Sequence, residues 1–165
     1  MAVDGVEKVK YGEQYIKVDG KKVLKPNVEY TADEGYEYTT DDNGRISKVE
    51  ANLQLGKTNR NLYAQRTVGG DDRLPTDDGG HLIASIFKGS GNLDNLVPMD
   101  SNLNRVEYKT LENTWKSALK EGKEVEVSIE PIYNGESLRP EKFDIEYSID
   151  GVKYDALLKN YIGGK

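Results

Sequence analysis

The chain has 165 residues, of which 36% are hydrophobic and 32% are charged, and it contains no cysteine. This composition suits one globular domain and excludes disulfides and thiolate metal sites, and no apolar run is long enough to span a bilayer. The net charge of −6 disfavours a nucleic-acid-binding protein, because phosphate contacts favour a basic surface. The charge is uneven, however. Residues 57–66 carry three basic side chains and no acidic one, so a local cationic groove remains compatible with the composition.

The N-terminal third is predicted to form strands and tight turns. Asp19-Gly20 lies between two β-rich arms at 15–24, and Asn43-Gly44 has the same place within 36–55. Both dipeptides favour β-hairpin turns. The 11 tyrosines fit strands in which the ring packs while the hydroxyl group stays in water.

The rest of the chain contains one irregular segment, one helix and further strands. Residues 67–98 are rich in Gly, Asp and Asn, and we predict an irregular, functional loop there. Apolar residues at helical spacing predict a helix from Ser101 to Glu121. Residues 124–133 alternate as a strand does, and 143–158 form a hairpin around Asp150-Gly151. This order predicts an α+β domain built on an antiparallel sheet.

The irregular segment contains the only histidine, His81, directly after two glycines. Taken singly, its polar residues have ordinary structural explanations. The glycines could form a turn, and the asparagines could bond to nearby backbone. Ser101 or Asn102 could cap the helix, and Glu112 could be a solvated helix residue.

Taken together, these residues meet the requirements of phosphodiester hydrolysis. Histidine is the natural base for activating water near neutral pH. Mg²⁺ can hold phosphate oxygens with few protein ligands, because it prefers oxygen and retains several waters. Asn104 and Glu112 are eight residues apart, which is about 80° around a helix, so both could face one site.

The order of these motifs resembles that of the DNA/RNA non-specific endonuclease family, which has the ββα-metal finger fold. The family shows Asp-Arg-Gly-His, then Asn-(apolar)-x-Pro, then Asn at a helix start, and then Glu two turns later. This chain shows Asp78-Gly79-Gly80-His81, Asn95-Leu96-Val97-Pro98, Asn104 and Glu112. Residues 60–140 are also similar to the nuclease toxin domains of bacterial polymorphic toxins, notably LXG-type proteins. The resemblance implies an α+β fold in which an antiparallel sheet carries a ββα-metal finger and one main helix. It also implies a single nuclease toxin domain, 1–165, whose catalytic core is 60–140.

The resemblance implies a role for each matching residue. His81 would be the general base, Asn104 would bind Mg²⁺ directly, and Asn95 would orient the site. Glu112 would hold a metal-bound water or help to protonate the leaving group. Because only neutral imidazole accepts a proton, we expect the activity to rise with pH through the usual histidine range, near a pKa of about 6.5.

One position departs from the family pattern. Gly79 stands where the family usually has arginine, so a phosphate-binding cation must come from elsewhere. Arg66, Arg105 and Arg139 are the candidates. Arg66 is the first choice, because it lies in the acid-free basic segment before the motif. A surface salt bridge is the alternative role for Arg105 and Arg139.

We therefore expect a Mg²⁺-dependent endonuclease that hydrolyses DNA or RNA with little sequence preference, and the resemblance implies 5′-phosphate products. One alternative is a nuclease restricted to RNA or to one structured substrate, and another is a non-catalytic β-rich binding module. As the toxin domain of an antibacterial type VII secretion substrate, the chain would act in the target-cell cytoplasm. Before export it would stay in the producing cell's cytoplasm with a cognate immunity protein. We expect no membrane partner and, since residues 1–10 carry several charges, no signal peptide. The chain is expected to be a piece of a longer protein.

Overall fold

The computed structural model describes residues 2–3 and 5–162. Both ends of the expected 1–165 domain, and Asp4 of the charged N-terminal residues, lie outside the described residues. The elements, in chain order, are β1 (Ala2–Val3), β2 (Val6–Lys8), β3 (Tyr15–Val18), β4 (Lys21–Leu24), β5 (Val28–Thr31), β6 (Glu37–Thr40), β7 (Ile46–Asn52), α1 (Leu62–Thr67), β8 (Asp77–His81), β9 (Leu96–Asp100), α2 (Tyr108–Lys120), β10 (Val125–Tyr133), β11 (Pro140–Ile149) and β12 (Val152–Lys159).

The main sheet confirms the predicted α+β class. Its strand order is β1-β2-β5-β6-β7-β10-β11-β12, and neighbouring strands are antiparallel except for the parallel pair β2–β5. Two further antiparallel pairs, β3–β4 and β8–β9, lie outside the main sheet. None of the described helices is long and apolar enough to cross a membrane.

The predicted hairpin turns are confirmed, and their backbone angles explain the residues found there. Asp19 and Gly20 have φ values of 51° and 77°, and Asp150 and Gly151 have 49° and 83°. Two successive residues in the left-handed region give the turn that matches strand twist. The turn around Gly44 is longer, because the Asp41 carboxylate accepts hydrogen bonds from the backbone of residues 43 and 45.

The predicted helix is present, but its first turns differ from a regular α-helix. A π-helical turn, Leu103–Glu107, precedes α2. Val106, an apolar residue of the predicted helix, is 53% exposed, because at about 100° per residue it lies about 180° around the helix from the buried Trp115. The Asp100 carboxylate accepts from the backbone N–H of Leu103 and Asn102 and caps this end.

The prediction that residues 67–98 are irregular was wrong for β8 and for the start of β9. Residues 77–81 pair with 96–100, with His81 opposite Leu96. The sequence Asp-Asp-Gly-Gly-His lacks the β-branched alternation of a strand, so local propensity does not predict it. The two glycines instead allow this strand to pack closely against its neighbours. A Cβ on Gly80 would lie 2.9 Å from the Met99 side chain.

Three tyrosines in or directly before β5 and β6 are buried, which corrects the expectation of wet hydroxyl groups. Tyr30, Tyr36 and Tyr38 are each 1% exposed. Their hydroxyl groups donate to the Asp94 carbonyl (2.7 Å), the carbonyl of residue 87 (2.7 Å) and Asn95 Oδ1 (2.8 Å). Strands β5 and β6 therefore hold the loop that follows His81.

The two faces of the main sheet differ in charge. The inner face packs against α2, where the Trp115 ring lies 5.5 Å from that of Tyr147. Along β10, exposed residues alternate with buried ones, so the outer face meets solvent. Strand register places a row of acidic side chains on that face. The exposed carboxylates of this outer face are Glu37, Glu50, Glu126, Glu130, Asp144, Glu146 and Asp155.

Candidate active site

A cavity of about 300 Å³ lies between the end of β8, the loop that follows it, and α2. His81, Asn104 and Glu112 all line it, so the structure brings together three of the residues singled out in the sequence. The π-helical turn supplies Asn104, and α2 supplies Glu112. Pi-helical turns are frequent at functional sites. The spatial order strand, strand, helix is that of the expected ββα finger.

The surroundings of His81 keep its imidazole neutral. Burial, and secondarily the positive charge of Arg60, lower the pKa of His81 from 6.5 to about 4. Its Nε2 atom is buried and has no hydrogen-bond partner among the described residues. A buried Nε2 does not meet water, so Nδ1 is the ring nitrogen that can accept a proton in the cavity. The imidazole is therefore held in the form that can accept a proton.

Asn95 is fully buried and holds the backbone beyond His81. Its Nδ2 donates to the carbonyl groups of Ile83 (2.7 Å) and Ser90 (2.8 Å). Its Oδ1 accepts from the Ile83 N–H (3.0 Å) and from the Tyr38 hydroxyl. A side chain that makes four bonds in the interior fixes a loop and does not reach substrate, so this geometry suits an orienting role.

Asp78, which sequence reasoning left as part of a turn, connects β8 to the helix. Its carboxylate accepts from Asn104 Nδ2 (2.9 Å) and from two nitrogens of Arg105 (3.0 Å and 2.7 Å). Because the Asn104 NH₂ group is used by Asp78, the amide oxygen Oδ1 remains for other contacts. The signal was present in the sequence, since Asp78 occupies the first position of the motif that contains His81.

Glu112 lies in the cavity wall with an unusual proton affinity. It is 7% exposed, and burial raises its pKa from 4.5 to about 7, against a smaller lowering by Lys109. A carboxyl group with this pKa holds its proton for about half the time at neutral pH. It can therefore donate a proton or, when ionised, accept hydrogen bonds.

The structure explains why the motif lacks its usual arginine. A Cβ on Gly79 would lie 2.1 Å from the carbonyl oxygen of Gln65 in α1. Arg73 fixes this arrangement, because its guanidinium donates to the carbonyl groups of Gln65 (2.9 Å) and Asp77 (3.1 Å). The backbone of α1 fills the space that a side chain at position 79 would need.

The three arginines expected to replace that side chain occupy different places. Arg105 lines the cavity, but its guanidinium is paired with Asp78 and its side chain is 70% exposed. Arg139 is 13% exposed and forms an ion pair of 2.8 Å with the buried Asp77, away from the cavity lining. Arg66 is exposed in the last turn of α1 and is also absent from that lining. Of the three, Arg105 alone is brought to the cavity.

Two further cations line the cavity and were missed in the sequence. Arg60 is exposed and is close enough to lower the pKa of His81, and Lys109 lies on the Glu112 side. Arg60 belongs to the same acid-free segment as Arg66, which was the available signal. Sequence position alone did not distinguish the two arginines.

The donor atoms of this site fit a hard cation with few protein ligands. Within residues 2–3 and 5–162, no three His, Cys, Asp or Glu side chains are grouped as a metal site. The cavity instead offers the amide oxygen of Asn104 and the carboxylate of Glu112. Mg²⁺ prefers oxygen ligands and keeps several waters, so this set suits Mg²⁺ better than it suits Zn²⁺.

A hairpin, a helix and this set of side chains together define a nuclease of the ββα type. The family model described as DNA/RNA non-specific endonuclease matches residues 26–151. The chain therefore belongs to the DNA/RNA non-specific endonuclease family.

Relatives and solved structures agree with that assignment. The type VII secretion system protein EssD of Staphylococcus aureus strain USA300 is 48% identical over 151 residues, which are 87% of this chain and 24% of that protein. The EssD protein of strain Newman gives the same values. The chain thus spans about a quarter of the length of these curated relatives.

The fold is shared with NucA from Streptococcus agalactiae. Its crystal structure with magnesium ion bound has a TM-score of 0.65 and 20% identity, covering 88% of this chain and 82% of that chain. The structure with no metal bound has a TM-score of 0.63 and 17% identity, covering 93% and 86%. At these identities the likeness shows the fold, and it confirms the α+β architecture.

Proposed function

We propose that the chain is a Mg²⁺-dependent endonuclease domain that hydrolyses DNA with little sequence preference. The observation that carries this proposal is that one cavity is lined by His81, Asn104 and Glu112 together with Arg60 and Lys109. It combines a base, oxygen ligands for a metal and cations for phosphate, which phosphodiester hydrolysis requires.

His81 acts as the general base. Its neutral imidazole accepts a proton from water as the water oxygen forms its bond to phosphorus and the bond from phosphorus to the 3′ oxygen breaks. This displacement leaves the phosphate on the 5′ side of the product. Glu112 lines the same cavity, where its carboxyl group either protonates the departing 3′ oxygen or, when ionised, holds the metal through water.

Asn104 and Glu112 are the residues that would hold the metal, directly or through water. When bound, Mg²⁺ supplies positive charge to the phosphate oxygens and to the leaving oxygen. Asp78 positions Asn104 for this task by binding its NH₂ group. Arg60 neutralises the phosphate in the place left without an arginine at Gly79, because guanidinium matches phosphate geometry.

Segregation of charge supports a nucleic-acid substrate in spite of the net charge of −6. Seven exposed carboxylates lie on the outer face of the sheet, and the cavity, whose lining includes Arg60, Arg105 and Lys109, lies on the other side, beside α2. Phosphate contacts depend on local charge, so a distant acidic face does not prevent binding.

We also propose that the domain is the toxic part of a longer protein exported by type VII secretion. The support is the similarity to EssD, which is named a type VII secretion system protein. Such a nuclease would endanger the cell that makes it, so a cognate immunity protein would have to bind it in the producing cytoplasm before export. Expression of the domain inside bacteria should arrest growth, and His81→Ala should relieve the arrest.

Cleavage assays test the proposed activity. The purified domain should degrade both plasmid DNA and total RNA in Mg²⁺, should favour DNA, and should be inactive in EDTA. His81→Ala should lower the rate by about 10²–10⁴-fold, the usual value of a general base. Cleavage of RNA alone would favour the RNA-restricted alternative. Binding without cleavage of any nucleic acid would favour a non-catalytic module.

A further inference from the structure

The exposed side of α2 carries only positive charge. Within Tyr108–Lys120 the one acidic residue is Glu112, whose side chain is buried in the cavity wall. Lys109 and Lys120 are exposed, and Lys116 is partly exposed. The other exposed positions are polar and uncharged: Thr110, Asn113, Thr114 and Ser117. An acid-free helix face stands out in a chain with six more acidic than basic residues.

The three lysines share one flank of the helix, next to the cavity. At about 100° per residue, Lys109, Lys116 and Lys120 fall within an arc of about 40°, and Glu112 is about 60° from Lys109. At about 1.5 Å per residue, Lys116 lies about 10 Å and Lys120 about 16 Å along the axis from Lys109. Lys109 lines the cavity, so the row begins at the candidate active site and leads away from it.

None of the three lysines forms an ion pair in the described part of the chain, although Lys109 is close enough to Glu112 to lower the pKa of that carboxyl group. Among the described residues, the lysine ion pairs are those of Lys48 and Lys123, and the row on α2 has none. The helix dipole favours a cation at the C-terminal position of Lys120, but that effect is confined to the last turn and does not reach Lys116. The unpaired charge of the row therefore has no structural explanation within the described part of the chain.

We propose that this flank of α2, from Lys109 through Lys116 to Lys120, binds the phosphate backbone of the nucleic-acid strand that continues from the cavity. The inference rests on the proposed nuclease function. Charge complementarity and continuity with the cavity both favour this occupant. Along the axis of B-form DNA, a row of about 16 Å matches about five phosphates of one strand, at about 3.4 Å of axis each. Contacts to phosphate carry no sequence information, which agrees with non-specific cleavage.

The test compares two double variants with the same change in net charge. Lys116→Gln/Lys120→Gln removes the outer part of the row, and glutamine has nearly the helix propensity of lysine. Lys17→Gln/Lys21→Gln is the control, since both lysines are exposed on the β3–β4 hairpin. Binding of a long DNA duplex is measured in EDTA at several salt concentrations, and circular dichroism melts check that each variant is folded.

Loss of two phosphate contacts should lower the slope of log Kd against log salt by about two. Between about 50 and 200 mM salt, the affinity of the parent should then fall about tenfold more than that of Lys116→Gln/Lys120→Gln. The control should keep the parent slope, and Lys116→Arg/Lys120→Arg, which retains both charges, should keep it as well.

Two results separate this inference from the proposed function. A parent that cleaves DNA in Mg²⁺ while Lys116→Gln/Lys120→Gln keeps the parent affinity and slope overturns this inference alone. So does a control that lowers the slope equally, because net charge would then explain the effect. A parent that neither binds nor cleaves nucleic acid overturns both proposals.

Discussion

The proton affinity of His81 offers a sharp quantitative test of the site. An ordinary histidine, with a pKa of about 6.5, is almost fully protonated at pH 5. Burial and Arg60 lower the pKa of His81 to about 4, so only about a tenth of the molecules are protonated at pH 5. The base therefore remains available in mild acid. The expected loss of activity on acidification moves from the usual histidine range to about pH 4.

Because His81 is the only histidine, nuclear magnetic resonance can measure its titration without any assignment. The imidazole signals of the isotope-labelled domain, in EDTA, should shift with a midpoint near pH 4. Arg60→Ala should raise that midpoint only in part, because burial is the larger cause and remains. A midpoint near that of ordinary histidine, in the folded parent, would refute the description of His81 as buried beside a cation.

The same pKa predicts a pH dependence of stability. Protonation of His81 is disfavoured in the folded state, so its contribution to the free energy of unfolding is complete above pH 6.5 and falls as the pH approaches 4. Between about pH 7.5 and 5 the loss is about 2 kcal/mol. Urea unfolding of the parent should show this loss relative to His81→Ala, which lacks the titrating group.

Comparison with His81→Ala is needed because titration of Glu112 changes the free energy of unfolding in the opposite direction. Its folded pKa is raised from 4.5 to about 7, so its contribution is complete below pH 4.5 and is lost as the pH rises through 7. The two effects offset each other in the parent over the same range. Subtracting the His81→Ala curve from the parent curve removes the Glu112 contribution, and a flat difference would contradict the pKa assigned to His81.

Three further predictions concern the metal, the glycine and the arginines. Asn104→Ala should raise the Mg²⁺ concentration required for half-maximal cleavage. Asn104→Asp keeps an oxygen ligand, so it should need less Mg²⁺ than the alanine variant. Equal Mg²⁺ requirements in the parent and both variants would exclude Asn104 as a ligand. Gly79→Ala should lower the free energy of unfolding by about 1–3 kcal/mol, the usual cost of overpacking, because its Cβ would meet the α1 backbone at 2.1 Å; an unchanged melting temperature would show that α1 does not lie there. Arg60→Ala should slow DNA cleavage by about tenfold or more, as expected for a lost charged hydrogen bond. Arg66→Ala should change the cleavage rate by about twofold at most, as for a surface site. A larger loss in Arg66→Ala than in Arg60→Ala would restore Arg66 as the phosphate ligand.

The sequence alone determined the hairpin turns, the main helix and the family. Asp19-Gly20 and Asp150-Gly151 form hairpins because their left-handed angles are a local property of two residues. The order and spacing of the residues around His81 indicated the family, because phosphodiester hydrolysis needs a base and oxygen ligands at defined separations. These are short-range features, and a linear pattern records them.

Only the tertiary structure decided which residues surround His81. In the folded chain, Arg60 rather than Arg66 lies at the cavity, Asp78 binds Asn104, and the backbone of α1 packs against Gly79. Each of these contacts joins segments remote in the chain, so no local pattern records it. The pKa of His81 follows for the same reason, because burial is a property of the packed chain and not of the residue.

The charge distribution was also decided partly by the sequence and partly by the tertiary structure. The sequence supplied the net charge of −6, which opposed a nucleic-acid substrate. Strand register places seven exposed carboxylates on the outer face of the sheet, and α2 places Lys109 in the lining of the cavity. Alternation along a strand and rotation along a helix fix which side chains share a face. Only the packing of the sheet against α2 decides which of those faces lies beside the cavity.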